Sequence, residues 1–184
     1  MIILYRGIRR IVNDFKCDDH RSVLFLWLAN IVPDLYIFKL VKSICLMAAG
    51  VQTGIDNVYF KSTIFIDSPR TLTIGRGVFI NRNVYFEGAG HISLYGNCQI
   101  GPNVVFATTR HEIDTAMNTS VGNIKVEDNV WIGAGVIILK SIQIGPNVVV
   151  AAGSVVNNSF SNCVIAGVPA RCIKILNVTV KECP

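Results

Sequence analysis

A mainly β solenoid, its short strands wound into stacked coils behind a helical preface, is the fold class that the sequence predicts. Three observations carry the prediction. An apolar side chain recurs at every sixth residue over much of the chain. The 184 residues are 51% hydrophobic and only 16% charged, with a mean hydropathy of +0.48. And no apolar run is continuous enough to place that hydrophobicity in a bilayer. Average soluble domains carry about a quarter charged residues, so a chain this apolar either spans a membrane or buries an unusually large share of itself. The length suits one domain with an appendage.

The membrane alternative fails on detail. A helical span needs roughly twenty predominantly apolar residues. The best stretch, Val23 to Ala49, is broken by Asn30, by Pro33-Asp34, and by Lys39 and Lys42. Pro33 lacks a backbone N–H and disfavours helical geometry at Val32, so the stretch reads as two helices. Before it, Leu4, Ile8, Ile11, Val12 and Phe15 recur at helical spacing, with Arg6, Arg9 and Arg10 on the other faces. Residues 1–50 are therefore expected to be a helical cap over the open end of a solenoid. Their basic and aromatic surface, with Phe25, Trp27 and Phe38, also suits a peripheral membrane contact.

Asp14, Asp18 and Asp19 separate the first basic residues from the apolar run, which does not fit a signal peptide. The six cysteines (17, 45, 98, 163, 172 and 183) show no C-x-x-C pair and no zinc-like spacing. Scattered structural thiols point to a reducing cytoplasm, with the inner face of the membrane as the place for any contact.

The period itself begins at Ile74. The key positions are Ile74, Ile80 and Phe86, then after a two-residue slip Leu94, Ile100 and Phe106, and then Val126, Ile132, Ile138, Ile144 and Val150. Four residues after most of them stands a second small or aliphatic side chain, Val78, Val84, Gly90, Cys98 and Val104 in the first run, and Val130, Val136, Ile142, Val148 and Ser154 in the second. Six fits neither an amphipathic helix nor an alternating strand. It fits strands separated by turns, each coil stacked on the last, the aliphatics forming inward columns.

Charge is unevenly placed. Residues 1–42 carry +3, residues 43–170 are neutral, and residues 171–184 carry +2. A nucleic-acid binder concentrates Lys and Arg in a patch with motif support, which the neutral middle lacks. The basic end suits a compact anionic ligand.

The period fails at Arg110, which cannot sit unpaired in an apolar column. Residues 109–125, beginning T-R-H-E-I-D, therefore read as a loop ejected from the solenoid. Loops on a rigid scaffold are favoured places for catalytic groups, and His111 leads this one. An imidazole, with an unperturbed pKa of about 6.5, suits proton removal near neutrality. Of the other histidines, His91 falls in the slip and reads as a turn residue, and His20 as an exposed one.

The segments V126-E-D-N-V-W-I-G-A-G-V-I-I-L, I144-G-P-N-V-V-V-A-A-G-S-V-V and I165-A-G-V-P-A-R-C-I-K resemble the hexapeptide-repeat acyltransferases, in particular the maltose, galactoside and polysaccharide O-acetyltransferase branch. The resemblance covers roughly residues 50 to 176. It implies a left-handed parallel β-helix over residues 51–160, a homotrimer, a short carboxy-terminal tail over 161–184, and acetyl-coenzyme A as cosubstrate with no metal. It places the catalytic base at His111, with Glu112 and Asp114 as carboxylates that orient it or meet the sugar. It implies that Asn81 faces the acceptor or the acetyl group, and a coil-corner role for that asparagine stands equally open. Pantetheine would lie between subunits along the small residues Ala134 and Ala152, and Arg171 and Lys174 would meet coenzyme phosphates. Trp131 is expected at the coil surface or a trimer contact, and Asn83 at a corner. Asn157-Asn158 stands where the family often has Thr-Lys, and K140-S-I replaces the usual Pro-Gly-Val turn.

The expected activity is acetyl transfer to a hydroxyl of a sugar or cell-surface polysaccharide intermediate. N-acetylation of an amino sugar and a non-catalytic assembly scaffold are the alternatives. A zinc carbonic anhydrase of the same fold would need three histidine ligands, and His20, His91 and His111 have no ligand-like spacing.

Overall fold

The computed structural model describes residues 20–55, 57–112 and 118–177. The helical periodicity read at Leu4 to Phe15, and Asp114, lie outside the described residues.

Helix α1 (His20–Ile31) and helix α2 (Lys39–Ala49) are separated by Pro33 and a short 3-10 turn over Tyr36–Phe38, as the proline requires. Gly50 ends α2 in the left-handed conformation at φ 109°, its N–H bonded back to Leu46 and Met47. No helix among the described residues is long and apolar enough to cross a membrane.

After α2 the chain winds into a three-faced solenoid. The first face stacks five parallel strands in the order Gln52–Thr53, Leu72–Ile74, Ile92–Leu94, Ile124–Val126 and Ile142–Ile144. The second stacks Val58–Phe60, Val78–Ile80, Gln99–Ile100, Trp131–Ile132, Val149–Val150 and Cys163–Gly167, with Ala170–Ile175 added antiparallel. The third stacks Phe65–Ile66, Tyr85–Phe86, Val105–Phe106, Ile137–Ile138 and Val155–Val156.

The strands are two or three residues long because the inward position alternates: Val78 and Ile80 are buried while Phe79 between them faces out. All eleven key residues of the six-residue period are at most 2% exposed. The columns interlock by shape as well as by burial, and Phe86 stacks on Phe106 with centroids 4.8 Å apart inside the core. Cys45, Cys98 and Cys163 are buried in the same interior, and burial raises each thiol above its ordinary range; Cys172 is exposed. These four cysteines are free thiols, so the described part holds no disulfide.

The structure extends the six-residue period at both ends, at the first within the solenoid bounds of 51–160 that the resemblance implies. Val58, Phe60, Ile64 and Ile66 form an inward coil before Ile74. That coil is masked in the sequence because Ile66 and Ile74 are eight apart, the same slip as between Phe86 and Leu94, and the Pro69–Thr71 turn fills the gap. At the other end, much of the expected tail is the Cys163–Gly167 and Ala170–Ile175 hairpin, which continues the second face. The repeat also resumes at Ile124 rather than Val126, since Ile124 is 1% exposed and pairs with Ile92 and Ile142.

A buried ion pair locks the cap to the first coil. Lys42 is 1% exposed, and its ammonium donates to Asp34 Oδ1 at 2.6 Å, to the Phe60 carbonyl at 3.2 Å and to Ser62 Oγ at 3.3 Å. Asp34 also accepts from Ser62 N and Oγ, and its Oδ2 takes a fork from Arg82 Nε and Nη2. Burial pushes this carboxyl up, but the hydrogen bonds from Lys42, Ser62 and Arg82 outweigh it and hold it well below the usual carboxylate range. Asp34→Ala leaves Lys42 buried without its counter-ion and is expected to cost about 3–5 kcal/mol, whereas Arg82→Ala, at an exposed side chain, costs under about 1 kcal/mol. Thermal denaturation of the two variants checks the contrast. Because the folded carboxyl is depressed, its contribution is present above the ordinary carboxylate range and is lost as pH falls through the folded value.

Candidate active site

Two features stand out, a groove on the second face and an arm at another corner. The groove is about 490 Å³ in volume. The outward side chains Phe79, Gln99, Trp131 and Val149 form its floor. Its edge is the corner that follows, where Asn81, Gly101, Pro102, Gly133, Ala134, Ala151 and Ala152 supply mostly backbone. The coils touch closely there: a Cβ on Gly133 would stand 2.6 Å from the Ala152 nitrogen, so no other residue fits. Small side chains at this edge leave an open, largely apolar groove.

Asn81, Ala134, Ala152 and Trp131 are thus brought together. Positive φ at this corner belongs to Asn83 (57°) and Asn103 (58°), not to Asn81. The corner reading therefore applies to Asn83, whose amide donates to Asn103 Oδ1 at 3.2 Å. Asn81 Oδ1 accepts the Arg82 backbone N–H at 2.9 Å. Arg171 and Lys174 do not line the groove. They are exposed on Ala170–Ile175, at the far end of the same face.

The arm is an antiparallel hairpin, Thr109–His111 against Thr119–Val121, leaving the corner between the third and first faces. His111 pairs with Thr119, whose hydroxyl lies 3.3 Å from Nδ1. Glu112 belongs to the other side of the ribbon, because successive strand residues alternate faces. Its carboxylate accepts from Ser120 Oγ and lies 3.9 Å from Lys140 Nζ, which itself donates to Ser120 Oγ at 2.6 Å. The Ser120 hydrogen bond, aided by Arg110 and Lys140, holds Glu112 below its ordinary pKa. It braces the arm, and among the described residues the Thr119 hydroxyl lies beside the His111 ring. His91 is a corner residue, with Nε2 2.9 Å from Thr73 Oγ1, and His20 is exposed at the start of α1.

Sequence reasoning missed what fastens the arm. Glu87, from the coil below, accepts the backbone N–H groups of Thr108 (2.5 Å) and Thr109 (2.9 Å) and the hydroxyl of Thr109. Thr108 is fully buried; its hydroxyl takes the Gly90 N–H and its carbonyl the Gly122 N–H. Gly90 and Gly122 meet so closely that a Cβ on Gly90 would stand 2.4 Å from the Gly122 oxygen. Chain exit and re-entry are thus tied together at one neck, held by Glu87 below and Lys140 above. No sequence motif marks Glu87; the only available signal was a charge directly after the inward Phe86, at the slip.

The groove and the arm occupy different corners of one chain. Asn81 stands between the second and third faces, and His111 projects from between the third and first, so the third face separates them. Among the described residues, no three His, Cys, Asp or Glu side chains cluster so as to hold a metal ion.

Comparison with known proteins gives this arrangement a context. Residues 123–158 match the model described as bacterial transferase hexapeptide (six repeats). A Dictyostelium discoideum protein named as an acetyltransferase is 37% identical over 132 residues, which are 69% of each chain. The crystal structure of a maltose O-acetyltransferase from Clostridium difficile 630 superposes with a TM-score of 0.79 at 29% identity, covering 90% of this chain and 89% of that one. A hexapeptide-repeat acetyltransferase from Vibrio cholerae, complexed with acetyl coenzyme A, superposes with a TM-score of 0.75 at 26% identity over 86% and 87% of the two chains. The chain spans between 51% and 63% of the length of three further curated relatives, each also named an acetyltransferase.

Glu87→Ala strips the neck of its acceptor and leaves the buried Thr108 N–H unpaired, a loss of about 1–3 kcal/mol. Amide hydrogen exchange at 109–112 and 118–121 is expected to quicken while the inward columns stay protected. Burial raises the Glu87 carboxyl, but the hydrogen bonds from Thr109 and Thr108 win and depress it. The neck is therefore secure above the ordinary carboxylate range and loosens as pH falls through the folded value, which exchange measured across an acid series reads directly.

Proposed function

Since this chain belongs to the hexapeptide-repeat acetyltransferase family, we propose that it transfers an acetyl group from acetyl-coenzyme A to a hydroxyl of a sugar or cell-surface polysaccharide intermediate. The observation that carries the reading is the pairing of a narrow small-residue groove with a histidine on a braced arm. The groove fits pantetheine through the backbone of Gly133, Ala134 and Ala152 and the apolar floor of Trp131 and Val149. Arg171 and Lys174, exposed at the end of the same face, are suited to the coenzyme phosphates. Acetyl-coenzyme A supplies the acetyl group as a thioester, whose sulfur is the leaving group.

The chain's own part is proton transfer and orientation. Thr119 Oγ1 lies 3.3 Å from Nδ1 of His111, and the imidazole takes the acceptor hydroxyl proton as the new C–O bond forms. The C–S bond breaks, and the imidazolium returns the proton to the departing thiolate. Asn81 orients the acceptor or the acetyl oxygen through its side-chain amide.

Because Asn81 and His111 stand at different corners, the reading requires a second copy of the chain, arranged so that the arm of one reaches the groove of the next. A closed ring of three such heterologous contacts accounts for a trimer. The two helices and the turn between them expose Trp27, Ile31, Ile37, Leu40 and Ile44, apolar side chains that support contact with the membrane on which a glycan intermediate is assembled.

His111→Ala is expected to lower kcat by about 10²–10⁴-fold, and Asn81→Ala to impair transfer as well. Mixing the two inactive variants after dissociation should restore activity at about a quarter of the sites, since a shared site draws one residue from each copy. No recovery on mixing would place both residues in one copy's site. Separately, Trp27→Glu with Ile37→Glu is expected to reduce co-sedimentation with vesicles containing anionic lipid; unchanged sedimentation would remove the membrane contact.

A further inference from the structure

The groove does not end at Asn81. Below it, on the outer side of the second face, an aromatic strip runs toward the helical cap. Phe79 lies on the groove floor, and Tyr59 stacks on it one coil below, with centroids 5.7 Å apart and planes 30° from parallel. Tyr36, from the turn between the two helices, meets Tyr59 at 5.9 Å and is 73% exposed. The Tyr59 hydroxyl donates to the Asp34 carbonyl at 3.2 Å, which ties the strip to the cap.

The charge beside this strip is one-sided. The carboxylate of Asp34 is shared between Lys42 and Arg82. Lys61 follows Tyr59 and Phe60 and stands at the same corner register as Asn81, one coil lower: its N–H bonds to the Ile80 carbonyl as that of Asn81 bonds to Ile100. Lys39 Nζ also lies 5.6 Å from the centroid of the Tyr36 ring, so among the described residues four cations stand with one carboxylate. Lys42 is buried, whereas the Arg82 side chain is 60% exposed and Lys61 is half-buried at the edge. Neither the solenoid nor the acetyl-transfer chemistry requires that excess there.

From this arrangement we infer that the strip is an acceptor subsite for a sugar carrying a phosphate, an inference that rests on the acetyl-transfer reading and names its substrate class. The rings of Tyr59, Phe79 and Tyr36 take the apolar faces of sugar rings. The ammonium of Lys61 and the N–H groups of Arg82 that its fork to Asp34 leaves over take the phosphate oxygens. Asn81 lines the groove at the corner just after Phe79, where the strip meets the groove, so a hydroxyl a few bonds from the phosphate is the one presented for transfer. A neutral sugar would find the stacking and none of the charge.

The test compares galactose with galactose 1-phosphate, using the full chain in its native assembly. With acetyl-coenzyme A present, kcat/KM is expected to favour the phosphorylated sugar by at least about tenfold, the range of one charge-assisted contact. Lys61→Glu, and Lys61→Gln as the milder change, should bring that ratio toward one, and Tyr59→Ala should raise KM more than it lowers kcat. Calorimetric titration of galactose 1-phosphate without acetyl-coenzyme A reads the subsite apart from the chemistry. Binding that is weakened by Lys61→Glu supports the subsite even where no sugar is acetylated, an outcome that would overturn the transfer reading alone. A wild-type ratio near one, a ratio unmoved by both Lys61 variants, or the absence of phosphate-dependent binding in the titration would each overturn the subsite.

Discussion

The hydrogen-bond ladder between successive coils is the constraint on which everything else in the molecule depends. It runs through the corners as well as the strands, as in Asn81 N to Ile100 O, Gly101 N to Ile132 O and Gly133 N to Val150 O. Each coil must return in register to the coil beneath it, so inward positions repeat and the aliphatic columns follow. The two regular corners show how tightly this binds. One is turned by Asn83, Asn103, Gly135 and Gly153 at positive φ, the other by Gly77, Asn97, Asn129, Asn147 and Asn162. Asparagine amides join along both, Asn147 to Asn162 at 2.9 Å for example. A residue inserted at either corner would break a column of side chains and a column of left-handed turns at once. The third corner carries no such column, and its length varies freely from coil to coil. That is where the chain can leave, and where it does.

The carboxylates at the ends and the exit serve as fasteners. Asp34 fixes the cap, Glu87 fixes the neck of the arm, and Glu112 braces the arm against Ser120 and Lys140. All three are depressed in the folded chain by the hydrogen bonds they accept. The core between them consists of apolar side chains and buried thiols, with no carboxylate among them to protonate. Acid therefore acts first on the attachments, and the solenoid and its accessories are separable in the response to pH although they are one covalent domain.

How much of this was legible in the sequence divides along the same line. Ile74 to Val150 could be read because the ladder forces a one-dimensional repeat, and a repeat survives in the sequence as spacing. The break at Arg110 could be read for the same reason, and with it His111. Glu87 could not: its partners are 21 and 22 residues away on a coil whose height is set only by the ladder. Glu112 and Asp114 were the nearby carboxylates in sequence; the two-residue alternation of the hairpin puts Glu112 on the opposite side of the ribbon from His111, and Thr119 stands across from the histidine. The coil from Val58 to Ile66 was hidden by an eight-residue slip, which is invisible until it is seen to match the next slip at the same corner. Asn81 was legible as a candidate, but only the backbone angles at Asn83 and Asn103 showed which asparagines the corner itself requires.

The placement of groove and arm has a further consequence for how such a site is held together. Within one chain the two are rigidly related, since both hang from the same ladder, yet they face away from each other across the third face. In the proposed reading, docking a second copy would set the distance between histidine and groove, with each held by its own coil. Subunit contact would then decide the geometry of transfer, while the chemistry of each half would be decided within its own coil. Glu87 and Lys140 matter to this arrangement out of proportion to their number. They are the fixed end of the lever by which one copy's histidine would reach another's groove, and slack at the neck would be multiplied along the length of the arm.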